Sequence, residues 1–164
     1  TNHVWCSLMM DESHCLFGCS DGSIEIYPNG SILKLSTSHD NHPGGITHLK
    51  QASSSLVVGI THRGYLFLFK YTNGFINMTG TTRLHQLSIR VCHIDLTSLL
   101  IFTGSDDHSI KVTDCRNGLC LHTLQKHQSP VNCLALAPVS VFIGVDILAL
   151  VPRYAQLPNS PVPL

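Results

Sequence analysis

Eleven histidines and seven cysteines in 164 residues are the side chains here that could hold a metal or attack an electrophile. The tightest group is His14, Cys15 and Cys19, whose Cys-x3-Cys spacing invites zinc. No second close pair of ligands has a matching spacing, so the preferred reading of these thiols is burial in a core. A cysteine nucleophile needs a base beside it in a cleft, and Cys92-His93 and Cys120 with His122 are the nearest pairs. Neighbours along a strand point to opposite faces, which separates Cys92 from His93. Cys120 and His122 share a face, but no orienting carboxylate lies within sequence reach. The sequence has no Gly-x-x-x-x-Gly-Lys phosphate loop and no Gly-x-Ser-x-Gly elbow. It therefore argues for no catalytic residue, no metal site and no cofactor. Asn77-Met78-Thr79 matches a glycosylation acceptor, which is inert in a chain facing the cytosol.

The composition narrows the remaining classes. Ten basic residues balance ten acidic ones, so there is no basic stripe for a phosphate backbone and no cluster for an anionic membrane surface. Nucleic acid and direct membrane insertion are not expected. The longest apolar run, Val139 to Val151, contains Asp146 and falls short of the roughly 20 residues that span a bilayer. An odd number of cysteines without a signal-peptide layout suits a reducing compartment. The first residue is Thr1 rather than Met, so a piece of a longer chain is expected.

What positions these residues is a repeat. Asn-Gly occurs at Asn29-Gly30, Asn73-Gly74 and Asn117-Gly118, each pair 44 residues after the last. Asn-Gly favours two-residue hairpin turns, because both residues tolerate positive φ. Each pair follows a β-branched or aromatic run, at 23–27, 65–69 and 109–113. Before those runs lie turns at Asp21-Gly22, Arg63-Gly64 and Asp107-His108, and before the turns further apolar strands at 15–18, 56–59 and 99–104. First strands begin at Val4, Ile46, Ile89 and Val131, spaced by 42, 43 and 42 residues. Four short strands per repeat and no 3.6-residue period predict an all-β chain of propeller blades. The expected organisation is blade 1 over 1–36, blade 2 over 37–80, blade 3 over 81–124, and the first strand of an incomplete blade over 125–136. Residues 137–164, with Pro152, Pro158, Pro161 and Pro163, are read as a non-matching tail.

The segment from Thr103 to Asp114, followed by His127 to Leu134, resembles a WD40 repeat. The architecture implied is a partial WD40 β-propeller of about three four-stranded blades plus one extra strand. In that family a His between blades, a Ser or Thr on the second strand, an Asp in the following turn and a Trp on the third strand form a hydrogen-bonded set. By motif position the first three are His85, Thr103 and Asp107. The Trp position holds Thr113, with Tyr27 and Phe69 at its equivalents, so the set is incomplete in every blade.

The order of motifs across residues 4–136 also resembles the sterol-escort propellers of this family: Val4-Trp5-Cys6, Gly18 to Ile26, Gly45-Ile46-Thr47, Gly64 to Phe67 and Cys120 to Gln125. That resemblance implies a cytoplasmic module whose parent sits in endoplasmic reticulum and Golgi membranes. Its partner would be the regulatory domain of a membrane-bound, sterol-responsive transcription factor precursor, the sterol regulatory element-binding protein (SREBP). The alternative is an unrelated WD40 scaffold, such as a substrate adaptor of a ubiquitin ligase. On the WD40 pattern, partners meet the turns of one rim, which collects Asp21, Arg63, Arg83, His108 and Lys126. Three blades would also leave open edges through which copies of the chain could associate.

Overall fold

A computed structural model describes residues 2–37, 43–137 and 140–144. Every regular element among them is a β-strand. The first sheet is β1 (Val4–Met9), β2 (Cys15–Cys19), β3 (Ser23–Tyr27) and β4 (Ser31–Lys34), paired in chain order and antiparallel throughout. The second is β5 (Ile46–Gln51), β6 (Leu56–Thr61), β7 (Tyr65–Thr72) and β8 (Phe75–Arg83). The third is β9 (Ile89–Asp95), β10 (Leu100–Ser105), β11 (Ile110–Asp114) and β12 (Cys120–Leu124). The expected extra strand is β13 (Cys133–Ala137), and it is followed by β14 (Ser140–Gly144), which pairs with it.

That last pairing corrects the reading of 137–164 as non-matching from its first residue. Val141-Phe142-Ile143 is a continuous apolar run without alternation, so its period does not separate strand from tail. The prolines from Pro152 onward lie outside the described residues.

The three complete sheets repeat in backbone detail. In each, the ladder slips once near the start of the first strand, between Val4 and Cys6, between Ile46 and His48, and between Ile89 and Val91. Trp5, Thr47 and Arg90 are the extra residues of these bulges. Beside each bulge one bond ties the second strand to the chain entering the first: Ser20 N–H to the His3 carbonyl (2.8 Å), His62 to Gly45 (3.0 Å) and Asp106 to Ser88 (2.9 Å).

The cores lie between sheets, as blades require. Leu16, Ile24 and Ile26 of the first sheet meet Ile46, Val57, Phe67 and Phe69 of the second. The opposite face of the second sheet, with Val58, Ile60, Leu66 and Leu68, meets Ile89, Cys92, Ile101 and Cys115 of the third. Leu100, Phe102, Ile110 and Val112 then cover Val131 and Leu134. A middle sheet is thus buried on both faces, which is why Tyr65-Leu66-Phe67-Leu68-Phe69 reads as an unbroken apolar run. Each fully buried Leu, Ile or Phe contributes about 1.5–3 kcal/mol by leaving water.

The Asn-Gly turns are not all alike. Only Asn73-Gly74 is a two-residue turn, with both residues at positive φ (48° and 79°) between the paired Thr72 and Phe75. At Asn29 and Asn117 the loops are longer, and each Asn side chain accepts the amide N–H two residues on, from Ser31 (3.0 Å) and Leu119 (2.8 Å). Gly30 and Gly118 alone take positive φ there, because an Asn that caps its own loop leaves the left-handed position to the glycine.

Candidate functional site

His85 lies in the connector between β8 and β9, with only 1% of its surface exposed. Its Nε2 is 2.8 Å from the Thr103 hydroxyl, and its Nδ1 is 3.0 Å from Asp107 Oδ2. Ser109 joins the group, donating to Asp107 Oδ1 at 2.6 Å with its Oγ 3.1 Å from His85 Nδ1. Burial pushes the His85 pKa down against the pull of Asp107, favouring the neutral ring. That ring donates from Nδ1 to the carboxylate and accepts at Nε2 from Thr103. Burial would raise the Asp107 pKa, but the Ser109 hydroxyl, the neighbouring His85 and the amides of Ser109 and Gln86 outweigh it and hold it at about 2. Both ring nitrogens of His85 are thereby paired inside a buried network.

Thr113 does not join the network: on β11 at the position the WD40 pattern gives to Trp, it is fully buried and its hydroxyl has no hydrogen-bond partner among the described residues. Its equivalents differ, Phe69 being fully buried and Tyr27 61% exposed. In the first sheet the turn carboxylate Asp21 accepts the Ser23 amide (2.9 Å) and hydroxyl (2.6 Å) and is also hydrogen-bonded by Asn2. In the second sheet Arg63 replaces the carboxylate. His127 precedes Val131 as His85 precedes Ile89, and its Nε2 is buried without a partner among the described residues.

The remaining candidates sit elsewhere. Cys15 and Cys19 are at opposite ends of β2, paired with Met9 and Val4, and at about 3.3 Å per residue lie roughly 13 Å apart along the strand. No group of three metal-ligating side chains occurs among the described residues. Cys92 is buried while His93 is exposed, and the Cys120 thiol donates to the His122 carbonyl. Burial pushes the Cys92 and Cys115 thiols up to about 12, so neither supplies a thiolate near neutral pH. Cys6 and Cys133, equivalent by position, differ: Cys6 is half-buried with its thiol on the Ile46 carbonyl, whereas Cys133 is exposed.

Register brings the expected rim to one end of the blades. Tyr65 pairs with Arg83, and the Gly64 carbonyl accepts the Leu84 and His85 amides. The turn before each third strand and the connector before each first strand therefore share an edge. Asp21, Arg63, Arg83, His108 and Lys126 are all exposed. Between the second sheet and the connector that follows it, this edge opens into a cleft of about 310 Å³ whose described lining residues are His62, Arg63, Tyr65, Arg83, Gln86, Leu87 and Ser88. The Arg83 guanidinium lies 5.6 Å from the Tyr65 ring centre and reaches the Gln86 carbonyl. Asp107 Oδ2 also accepts the Gln86 amide at 3.1 Å, so the buried His85 network fixes one wall of the cleft.

Sequence reasoning missed two members of this edge. Ser109 reads as an ordinary turn residue, and nothing local marks it as touching His85. Trp5, at a bulge and 48% exposed, meets the His62 ring edge-on at 5.5 Å and lies against Gly45. The one signal was a glycine at the Trp5 contact, where any side chain would collide with the indole.

No family model matches the chain. It is 33% identical over 129 residues to the WD repeat-containing protein 55 homolog of Dictyostelium discoideum, covering 77% of this chain and 29% of that protein. Over 42 residues it is 38% identical to the human F-box-like/WD repeat-containing protein TBL1Y, covering 8% of it. The chain thus spans under a third of the relatives it matches. Among solved structures, the computationally designed Ika4 protein superposes with TM-score 0.68 at 22% identity, over 90% of this chain and 88% of that one. A chain of the mitotic checkpoint complex superposes with TM-score 0.62 at 18% identity, over 82% of this chain and 41% of that one. At such identities the structural likeness concerns the fold, which is that of partial WD40-type propeller blades.

Proposed function

We propose that this run of WD40-type blades is a protein-interaction scaffold, which presents partners with the rim carrying Asp21, Arg63, Arg83, His108 and Lys126. One observation carries the reading. The backbone repeats at that edge, in bulge and in hydrogen bond, while its exposed side chains differ from blade to blade. A constant frame with variable turns is how a rigid scaffold displays recognition residues. The WD-repeat relatives support the same role. The role is binding, without a catalytic step.

Photocrosslinking tests it. A benzophenone amino acid at His108 or Lys126 should yield adducts in cell extract, whereas one at Leu96, which is 64% exposed in a turn at the opposite end, should not. Equal adducts from both ends would contradict the rim assignment.

The finer reading is the escort one, supported by motif order alone. It gives the SREBP regulatory domain as partner, the cytoplasmic face as location, and endoplasmic reticulum and Golgi as the parent's membranes. Co-precipitation with that domain, lost on Arg63→Glu or Lys126→Glu, would support it; retention by both variants, or no binding, would favour an unrelated scaffold such as a ligase adaptor. The first sheet also exposes Val4 (54%), Met9 (65%) and Ile32 (59%), apolar surface through which a second copy could pair. Sedimentation at rising concentration reads that directly.

A further inference from the structure

We propose that the outer edge of β8 takes up an extended segment of a partner protein, which joins the second sheet as a fifth strand through main-chain hydrogen bonds. The surface is the side of the sheet rather than the rim, so the inference stands apart from the rim assignment.

The outer strands are not alike. β4 has four residues and ends on Lys34, and β12 has five, most of them half-buried. β8 has nine, Phe75–Arg83, most of them exposed, and its single charge is Arg83 at the very end. Natural sheet edges are blunted by short strands, charged side chains, proline or bulges. β8 is long and carries neither charge nor proline over 75–82. Its one interruption is a bulge at Thr79, whose hydroxyl donates to the Leu68 carbonyl at 3.1 Å, so the regular edge ahead of it is where pairing begins.

Register says which main-chain groups face outward. Thr72 and Phe75 flank a two-residue turn and so form a hydrogen-bonded pair, and alternation then turns the N–H and carbonyl of Ile76 and Met78 away from β7. No backbone hydrogen bond from another described residue reaches either one. Donors and acceptors at strand spacing match the main chain of another strand.

Loops of both neighbouring sheets bound this edge. From the first sheet Asn29 Nδ2 donates to the Gly74 carbonyl at 3.2 Å, and from the third Gly118 lies against the side chains of Thr82 and Leu68. A single extended segment fits between such loops, whereas the edge of a second folded copy brings loops of its own. Phe75 and Met78, 61% and 42% exposed, stand beside the open main chain with Asn77 and Thr81. They favour an uncharged, β-branched segment, with valine set against the apolar pair and threonine against the polar one.

The test uses the full chain and a labelled eight-residue peptide of alternating threonine and valine, carrying two lysines at one end for solubility. The control peptide is N-methylated at all eight residues, which keeps its side chains and removes its donors. Fluorescence anisotropy should show the unmethylated peptide binding at least tenfold tighter. Amide exchange read by NMR should be fast at Ile76 and Met78 in the free chain and at least fivefold slower with saturating peptide, while Asn77 is slow in both states. Met78→Lys should weaken binding about tenfold, and Ile32→Lys, on the outer strand of the first sheet, should leave it within twofold. Equal binding of the two peptides overturns the proposal, as does unchanged exchange at Ile76 and Met78, and both comparisons use the unaltered chain, so a misfolded variant cannot hide them. Slow exchange at Ile76 and Met78 in the free chain that speeds up on dilution assigns the edge to a second copy and also overturns it.

Discussion

Thr113 occupies a buried position where a hydroxyl has nothing to bond, and an orphaned buried hydroxyl costs on the order of 1 kcal/mol or more. Thr113→Val keeps the shape and removes the orphan, so it should stabilise the chain by about 1 kcal/mol in urea unfolding. An unchanged or lower midpoint would mean the hydroxyl is satisfied. His85 makes the opposite case. Its pKa is lowered in the folded chain, so the stability of the neutral ring is present above the ordinary value of about 6.5 and lost as pH falls below it. Asp107, held at about 2, contributes stability above the ordinary carboxylate value that disappears only as pH falls towards 2. Between pH 7.5 and 5.5 the unfolding free energy should therefore fall, and His85→Gln should flatten part of that slope; an identical slope in the variant would assign the effect to other histidines. The WD40 resemblance, not spacing alone, is what pointed to His85, Thr103 and Asp107 as a set. Ser109 was not legible in the sequence, because a serine two residues after a turn aspartate looks the same whether it faces solvent or an imidazole.

At the scale of strands and turns, the repeat was the clearest signal. First strands at near-constant spacing matched the starts of β1, β5 and β9, and the apolar runs between turn residues fell within a residue of the starts of β2, β3, β6, β7, β10 and β11. By contrast, β13 begins at Cys133 rather than Val131, and the outer strands β4, β8 and β12 were given no bounds. β14 was hidden, since an unbroken apolar run has no period to read. The Asn-Gly pairs marked the turns without giving their form, which depends on whether the asparagine enters the left-handed region, as Asn73 does, or caps its loop, as Asn29 and Asn117 do. The bulges at Trp5, Thr47 and Arg90 were invisible, because one extra residue shifts register without changing composition. Gly64 tests how firmly the rim is built. Gly64→Ala forces a side chain into a positive-φ position against the His85 carbonyl and should cost at least about 2 kcal/mol, reported by thermal unfolding. A variant as stable as the parent would show that the connector can move and that the cleft wall is soft.

Over the whole molecule, the blades are apolar slabs that stabilise one another face to face, while chemistry is confined to the edge where turns and connectors meet. The apolar residues fill the slabs, while the rim turns carry Asp21, Arg63, Asp106 and Asp107 and other charges, such as Glu25, Lys50, Lys70 and Lys111, lie along the strands. Hydrogen–deuterium exchange of the full chain, alone and with a partner captured by rim photocrosslinking, measures both halves of this account at once. The account predicts slow exchange in β2, β6 and β10 in either state, and partner-dependent protection at residues 62–64 and 83–88 with none at the opposite turns 52–55 and 96–99. Protection spread evenly over both ends, or confined to the opposite turns, would contradict it.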